Sequence, residues 1–137
     1  MPLLDVSDLR VWYALRDSWL RPARHVRAVD GVSFSLAAGE TVGLVGESGC
    51  GKSTLGRAII RLERPTSGRI RLDGEDVTGL RGEGLRRLRR TVQMIFQDPY
   101  GSLNPRMTIH RTLDEVLAFH TPLDRLGRLR RVGELLE

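Results

Sequence analysis

Gly46-Glu47-Ser48-Gly49-Cys50-Gly51-Lys52-Ser53 is the stretch whose residue types and spacing most directly dictate a chemistry. Gly46, Gly51, Lys52 and Ser53 match the pattern G-x-x-x-x-G-K-[ST], the phosphate-binding P-loop. Each position has a physical reason. The glycines let the backbone turn tightly and bring its N–H groups up to phosphate oxygens. A helix starting near Lys52 points its positive end at the same anion. The Lys52 ammonium is compact enough to bridge the β- and γ-phosphates of ATP, and the Ser53 hydroxyl suits a Mg²⁺ ion that bridges them too. A chance match in a glycine-rich loop is the competing reading. The apolar run before the pattern and the helical run after it tell against it. Cys50 sits beside the helix N-terminus, where a thiol gains reactivity. The plainer reading, that any small residue serves there, is preferred.

The 137 residues allow one ordinary domain with a real core. No run approaches the roughly 18 apolar residues of a membrane helix, and Met1 to Arg10 carries no secretory signal, so a cytoplasmic protein is expected. A single cysteine excludes an internal disulfide and a multi-cysteine metal site. The net charge of +5 rests on 22 basic residues, of which one is lysine and the remaining 21 arginine. That skew reads as chain-wide use of arginine on solvated faces, so no nucleic-acid partner is expected. The lone lysine is Lys52 itself. Arg86-Arg87-Leu88-Arg89-Arg90 lacks interleaved aromatics and reads as a solvated helix face. His25, His110 and His120 show no ligand spacing.

Several elements must position the loop. Leu3 to Tyr13 reads as a strand, with Leu9, Val11 and Tyr13 on one parity, and Ala28 to Leu36 as a second. Asp17 to Arg27 is a polar connection, and Ala37 to Glu40 a turn. The short apolar run Thr41 to Val45 reads as a buried strand entering the P-loop, and Leu55 to Leu62 as the helix leaving it. Pro65 to Gly68 is a turn, Arg69 to Leu72 a strand, and Asp73-Gly74 a hairpin turn. Gly84 to Arg90 is expected as a short helix, Thr91 to Phe96 as another strand, and Gln97 to Arg106 as a loop. Thr108 caps a helix through Phe119. Asp124 caps the last, with Leu126, Leu129 and Leu136 among its apolar positions.

A second motif narrows the reading. Val92-Gln93-Met94-Ile95-Phe96-Gln97-Asp98-Pro99-Tyr100-Gly101-Ser102-Leu103-Asn104-Pro105-Arg106-Met107-Thr108 closely resembles the Q-loop region of ABC transporter ATPases. Its Ser-Leu-Asn-Pro-Arg-Met-Thr portion is similar to the ATPase subunits of oligopeptide and dipeptide importers, as are Ala28 to Phe34 and Gly43 to Leu55. The resemblance covers nearly the whole chain. It is weakest at Asp17 to His25 and after His110.

The resemblance implies an α/β fold: an N-terminal antiparallel β subdomain beside a P-loop NTPase core of ABC type, followed by the start of a helical subdomain. It implies a boundary between residues 1–105 and 106–137. Tyr13 falls where the family places an aromatic ring against adenine, with Trp12 as the fallback. Gln97 matches the Q-loop glutamine, which approaches Mg²⁺ and the γ-phosphate and reports them to the membrane subunits. With these two, the implied ATP site is Gly46, Glu47, Ser48, Gly49, Cys50, Gly51, Lys52, Ser53 and Thr54, and the implied Mg²⁺ ligands are Ser53 and Gln97. The implied partners are a second ABC ATPase subunit, the membrane permease subunits and, indirectly, a periplasmic or surface solute-binding protein. The implied location is the cytoplasmic face of the plasma membrane, peripherally bound. The solute-binding protein and permease select the transported solute. The family also uses an Leu-Ser-Gly-Gly-Gln-type motif, an apolar strand ending in Asp-Glu (Walker B) and a switch histidine, none of which is found in these residues. The expectation is an N-terminal portion of such an ATPase, without the catalytic Glu and His and inactive by itself. The alternative is a truncated nucleotide-binding remnant without turnover.

Overall fold

The computed structural model describes residues 1–15, 24–98, 101 and 103–137. Most of the Asp17 to Arg27 connection, and Pro99, Tyr100 and Ser102 of the second motif, lie outside the described residues. The chain forms two compact units, Met1–Met94 and Ile95–Glu137.

The first unit is built on a four-stranded antiparallel sheet. Strands β1 (Leu4–Leu15), β2 (Arg24–Leu36), β3 (Ser67–Leu72) and β4 (Glu75–Asp76) lie in the order β2-β1-β3-β4. Strand β1 is central because it pairs with both β2 and β3. Its inward residues Val6, Leu9 and Val11 do not follow a simple alternation. A bulge at Asp8 (φ 47°), where both ladders shift register, puts Val6 and Leu9 on the same buried face. Ser33 Oγ accepts a hydrogen bond from the Asp8 N–H at 2.8 Å and secures the bulge. Two further shifts, at Leu9/Arg10 and Val11/Trp12, place their extra residues, Gly31 and Ala28, in β2, so β1 keeps its alternation from Leu9 through Val11 to Tyr13. Tyr13 is nevertheless 38% exposed, because β3 pairs with β1 no further than Arg10. The hairpin turn at Asp73-Gly74 has positive φ at both residues (49° and 80°), the type I′ geometry that suits strand twist.

Helix α1 (Lys52–Ile59) lays Leu55 and Ala58 against the sheet, and α2 (Gly82–Thr91) adds Leu88. These join Val6, Leu9, Val11, Val29, Ile70 and Val77 in one core. Each large aliphatic side chain there contributes about 1.5–3 kcal/mol by leaving water.

Two expected strands are not formed. Thr41 to Val45 has no ladder partner among the described residues and is exposed throughout, Val45 at 93%. Thr91 belongs to α2, and 92–96 is likewise unpaired, with Ile95 at 94%. A strand is held by hydrogen bonds to a neighbour, and apolar content alone does not supply one.

The second unit holds α3 (Ile109–His120) and α4 (Arg125–Leu136). Both begin at the expected caps. Thr108 Oγ1 accepts from the Arg111 N–H at 3.2 Å, and Asp124 Oδ1 from the Gly127 N–H at 2.8 Å. The inward residue of α4 is Val132, fully buried, whereas Leu126, Leu129 and Leu136 are exposed. Arg128 Nε donates to Asp114 Oδ1 at 2.7 Å and ties the two helices together.

Candidate functional site

The P-loop leaves the exposed stretch at Val45 and enters α1 at Lys52, so the expected loop-to-helix transition is present. Gly49 and Gly51 both take left-handed backbone (φ 82° and 97°), and Gly51 is the N-cap of α1. A Cβ on Gly51 would overlap the carbonyl oxygen of Ala28 in β2, so glycine is required there on two counts. No side chain caps α1. Its first intrahelical bond is Leu55 N–H to Gly51 O at 2.9 Å, so the N–H groups of Lys52, Ser53 and Thr54 stay available to an anion.

Lys52 folds back over the loop. Its ammonium donates to the carbonyl oxygens of Gly46 (2.7 Å) and Glu47 (2.6 Å), with Cys50 Sγ 3.4 Å away. The loop is therefore wrapped around a single cation, and the Cys50 thiol takes part in that wrapping. Glu47, Ser48, Gly49 and Cys50 are exposed, and Cys50 N–H donates to Glu47 O at 3.3 Å. Ser53 is exposed and Thr54 half-buried at the head of the helix.

A depression of about 330 Å³ adjoins the loop, lined by Cys50, Gly51, Lys52 and Leu55 on one side and by Arg27 to Asp30 of β2 on the other. Sequence reasoning missed the β2 residues. They lie more than twenty positions before Lys52, and only the fold brings them there. Asp30 is the most connected: Arg10, Arg27 and the Trp12 indole N–H all reach its carboxylate, at 3.5, 3.4 and 3.1 Å.

The two aromatic candidates differ. Trp12 carries the Arg27 guanidinium over its ring at 4.8 Å, and its N–H is engaged by Asp30. Tyr13, the next residue along β1, pairs with Val26 and leaves its side chain exposed. Neither lines the depression. Gln97 is exposed in the second unit. Among the histidines, His25 lies against Trp12 (ring centroids 6.3 Å apart) and His120 edge-on to Phe119 (5.0 Å). Among the described residues, no three His, Cys, Asp or Glu side chains cluster as a preformed metal site.

Comparison with known proteins agrees with this geometry. The ABC transporter family profile matches residues 29–136. The chain is 46% identical over 136 residues to an oligopeptide transport ATP-binding protein, AppF, of Bacillus subtilis, covering 98% of this chain and 41% of that protein. It is 44% identical over 135 residues to the dipeptide transport ATP-binding protein DppF of Escherichia coli, covering 98% and 40%. The chain thus spans about two fifths of the length of these curated relatives. Among solved structures, CbiO1 of Clostridium perfringens superposes with a TM-score of 0.67 at 27% identity, over 98% of this chain and 49% of that one. The dimeric ATP-binding cassette MJ0796 shares the fold with a TM-score of 0.73 at 24% identity, over 97% and 55%. The antiparallel sheet, the P-loop and the helices that follow are those of an ABC ATPase, and this chain belongs to the ABC transporter family.

Proposed function

We propose that this chain forms the ATP-binding portion of the energy-coupling subunit of a peptide importer. The observation that carries the binding reading is Lys52, drawn between the Gly46 and Glu47 carbonyls at the uncapped start of α1. On binding, the ammonium exchanges neutral carbonyl acceptors for charged phosphate oxygens, and the free N–H groups of the first turn gain acceptors. Lys52 thereby trades contacts between a charge and carbonyl dipoles for contacts between opposite charges, which favours the bound state.

Mg²⁺ fits the residues present. The donor set is oxygen, as the ion prefers, and the Ser53 hydroxyl is exposed beside Lys52 at the phosphate end of the helix. Ser53 would hold it. When bound, the ion neutralises charge on the β- and γ-phosphates. Tyr13 is the better adenine platform, because its ring is exposed while one Trp12 face is already covered by Arg27. The backbone of Gly46 to Thr54 completes the nucleotide contacts. A division into an ATP-binding core over 1–105 and a helical portion from 106 goes with this reading.

The importer assignment rests on relatives named as oligopeptide and dipeptide transport ATP-binding proteins. It brings with it a second ATPase subunit, permease subunits and, through them, a solute-binding protein. No helix among the described residues is long and apolar enough to cross a membrane. The importer reading itself places the subunit peripherally on the cytoplasmic face. Hydrolysis belongs to the assembled transporter. Residues 1–137 supply phosphate binding but not the acidic pair or histidine that would complete the chemistry, so this portion binds without turnover.

The experiment is competition against a fluorescent ATP analogue. A loop that reads the outer phosphates lets ATP and ADP displace the analogue far better than AMP or adenosine. Equal displacement by all four would overturn the proposal.

A further inference from the structure

We propose that the C-terminal end of α1 carries a second anion site, in which Arg61, with Arg64, Arg81 and Arg89 around it, binds a phosphate group. The argument starts from the helix end. Arg61 N–H donates to Ala58 O at 3.0 Å and Leu62 N–H to Arg57 O at 2.8 Å, the paired bonds that close a helix with a left-handed residue. Glycine is the usual occupant of that position, because it alone adopts positive φ without penalty. Here it is Arg61, at φ 60°. An arginine there carries backbone strain that glycine would avoid.

That side chain is buried. Arg61 is 9% exposed, the only charged residue so placed among the described residues, and its Nε–H is enclosed without a hydrogen-bond partner. None of the ion pairs among the described residues includes it. A buried guanidinium with an unmet donor lacks an acceptor that folding has not provided. Cationic side chains lie around it. Arg89 Nη2 donates to the Arg61 carbonyl at 2.9 Å, and burial together with the charges of Arg64, Arg89 and Arg81 holds the Arg61 pKa below its ordinary value. Arg64, Arg81 and Arg89 are exposed, which leaves the cluster open to solvent. Four guanidinium groups suit a dianion better than a single carboxylate, and their planar donor forks match phosphate oxygens. This site is built from the far end of α1 and uses none of the P-loop residues.

The test uses the full chain carrying Lys52→Ala, so that P-loop binding does not contribute. Inorganic phosphate is titrated while the Arg61 Nε–Hε signal is followed by ¹⁵N NMR. We expect a saturable shift, weakened about two- to fivefold by Arg64→Gln or Arg81→Gln singly and lost in Arg61→Gln. The two exposed variants keep the test sound where Arg61→Gln fails to fold. A response to phosphate but not AMP assigns the free ion, and a response to both assigns the phosphate of a larger molecule. A shift no greater than sodium chloride produces at equal ionic strength, or one unchanged by Arg64→Gln and Arg81→Gln, would overturn the site.

Discussion

Gly51 faces the carbonyl oxygen of Ala28 so closely that a β-carbon on residue 51 would overlap it. The contact seats the P-loop on β2 and sets the direction in which α1 leaves. Gly51→Ala must both push the loop from the strand and force alanine into φ 97°. We expect a loss of about 2–4 kcal/mol in stability, combining left-handed strain with displacement of a packed backbone. Urea denaturation measures it. A change below about 0.5 kcal/mol, the usual scatter of surface substitutions, would show that the loop moves freely.

The cap of α4 offers a smaller, cleaner effect. Asp124 Oδ1 accepts the Gly127 N–H at 2.8 Å, and Asp124→Ala leaves that donor without its acceptor. The expected cost is about 0.5–2 kcal/mol. Asp124→Asn should recover most of it, and the pair of variants compared by thermal unfolding checks both.

These two sites differ in how legible they were. Both caps could be read directly, because Thr108 and Asp124 stand before helical runs and the hydrogen bond is local. The P-loop was equally readable, since its chemistry lies in consecutive residues. The shared parity of Leu9, Val11 and Tyr13 is readable from the alternation, but the exposure of Tyr13 is not, because it depends on where the pairing of β3 with β1 ends. Thr41 to Val45 has the composition of a buried strand, yet pairing depends on a neighbour that composition does not reveal. The approach of Ala28 to Gly51, and the Arg10–Asp30–Arg27 group, are long-range consequences of the sheet and left no local signal.

Acid should weaken the β4 end of the sheet. Hydrogen bonds from Thr78, chiefly its side chain and then its N–H, hold the Asp76 carboxyl below its ordinary pKa, with help from Arg69 and Arg71. A depressed carboxylate contributes stability that is present above its unfolded pKa, near 4, and is lost as pH falls through the folded value. Asp76 is half exposed, so the contribution is small, below about 1 kcal/mol. The stability gap between wild type and Asp76→Asn should therefore narrow as pH drops below about 4. A gap that stays constant down to acid unfolding would remove this role.

Turnover by residues 1–137 should not exceed background, because the loop stabilises phosphate charge but nothing in it positions a water for attack. Phosphate release by purified protein, with Lys52→Ala as the contamination control, measures this. Turnover that disappears in Lys52→Ala would mean that other residues of the chain complete the site.

The central claim is that Lys52 exchanges the Gly46 and Glu47 carbonyls for the phosphates of MgATP. Titration of wild type and Lys52→Ala with a fluorescent ATP analogue, with and without Mg²⁺, tests it most directly. A lost charge-assisted contact is worth about 1.5–3 kcal/mol, so the account predicts roughly ten- to hundredfold weaker binding in the variant when Mg²⁺ is present. It also predicts a much reduced response to the metal. Equal affinity of the two proteins in Mg²⁺ would contradict it.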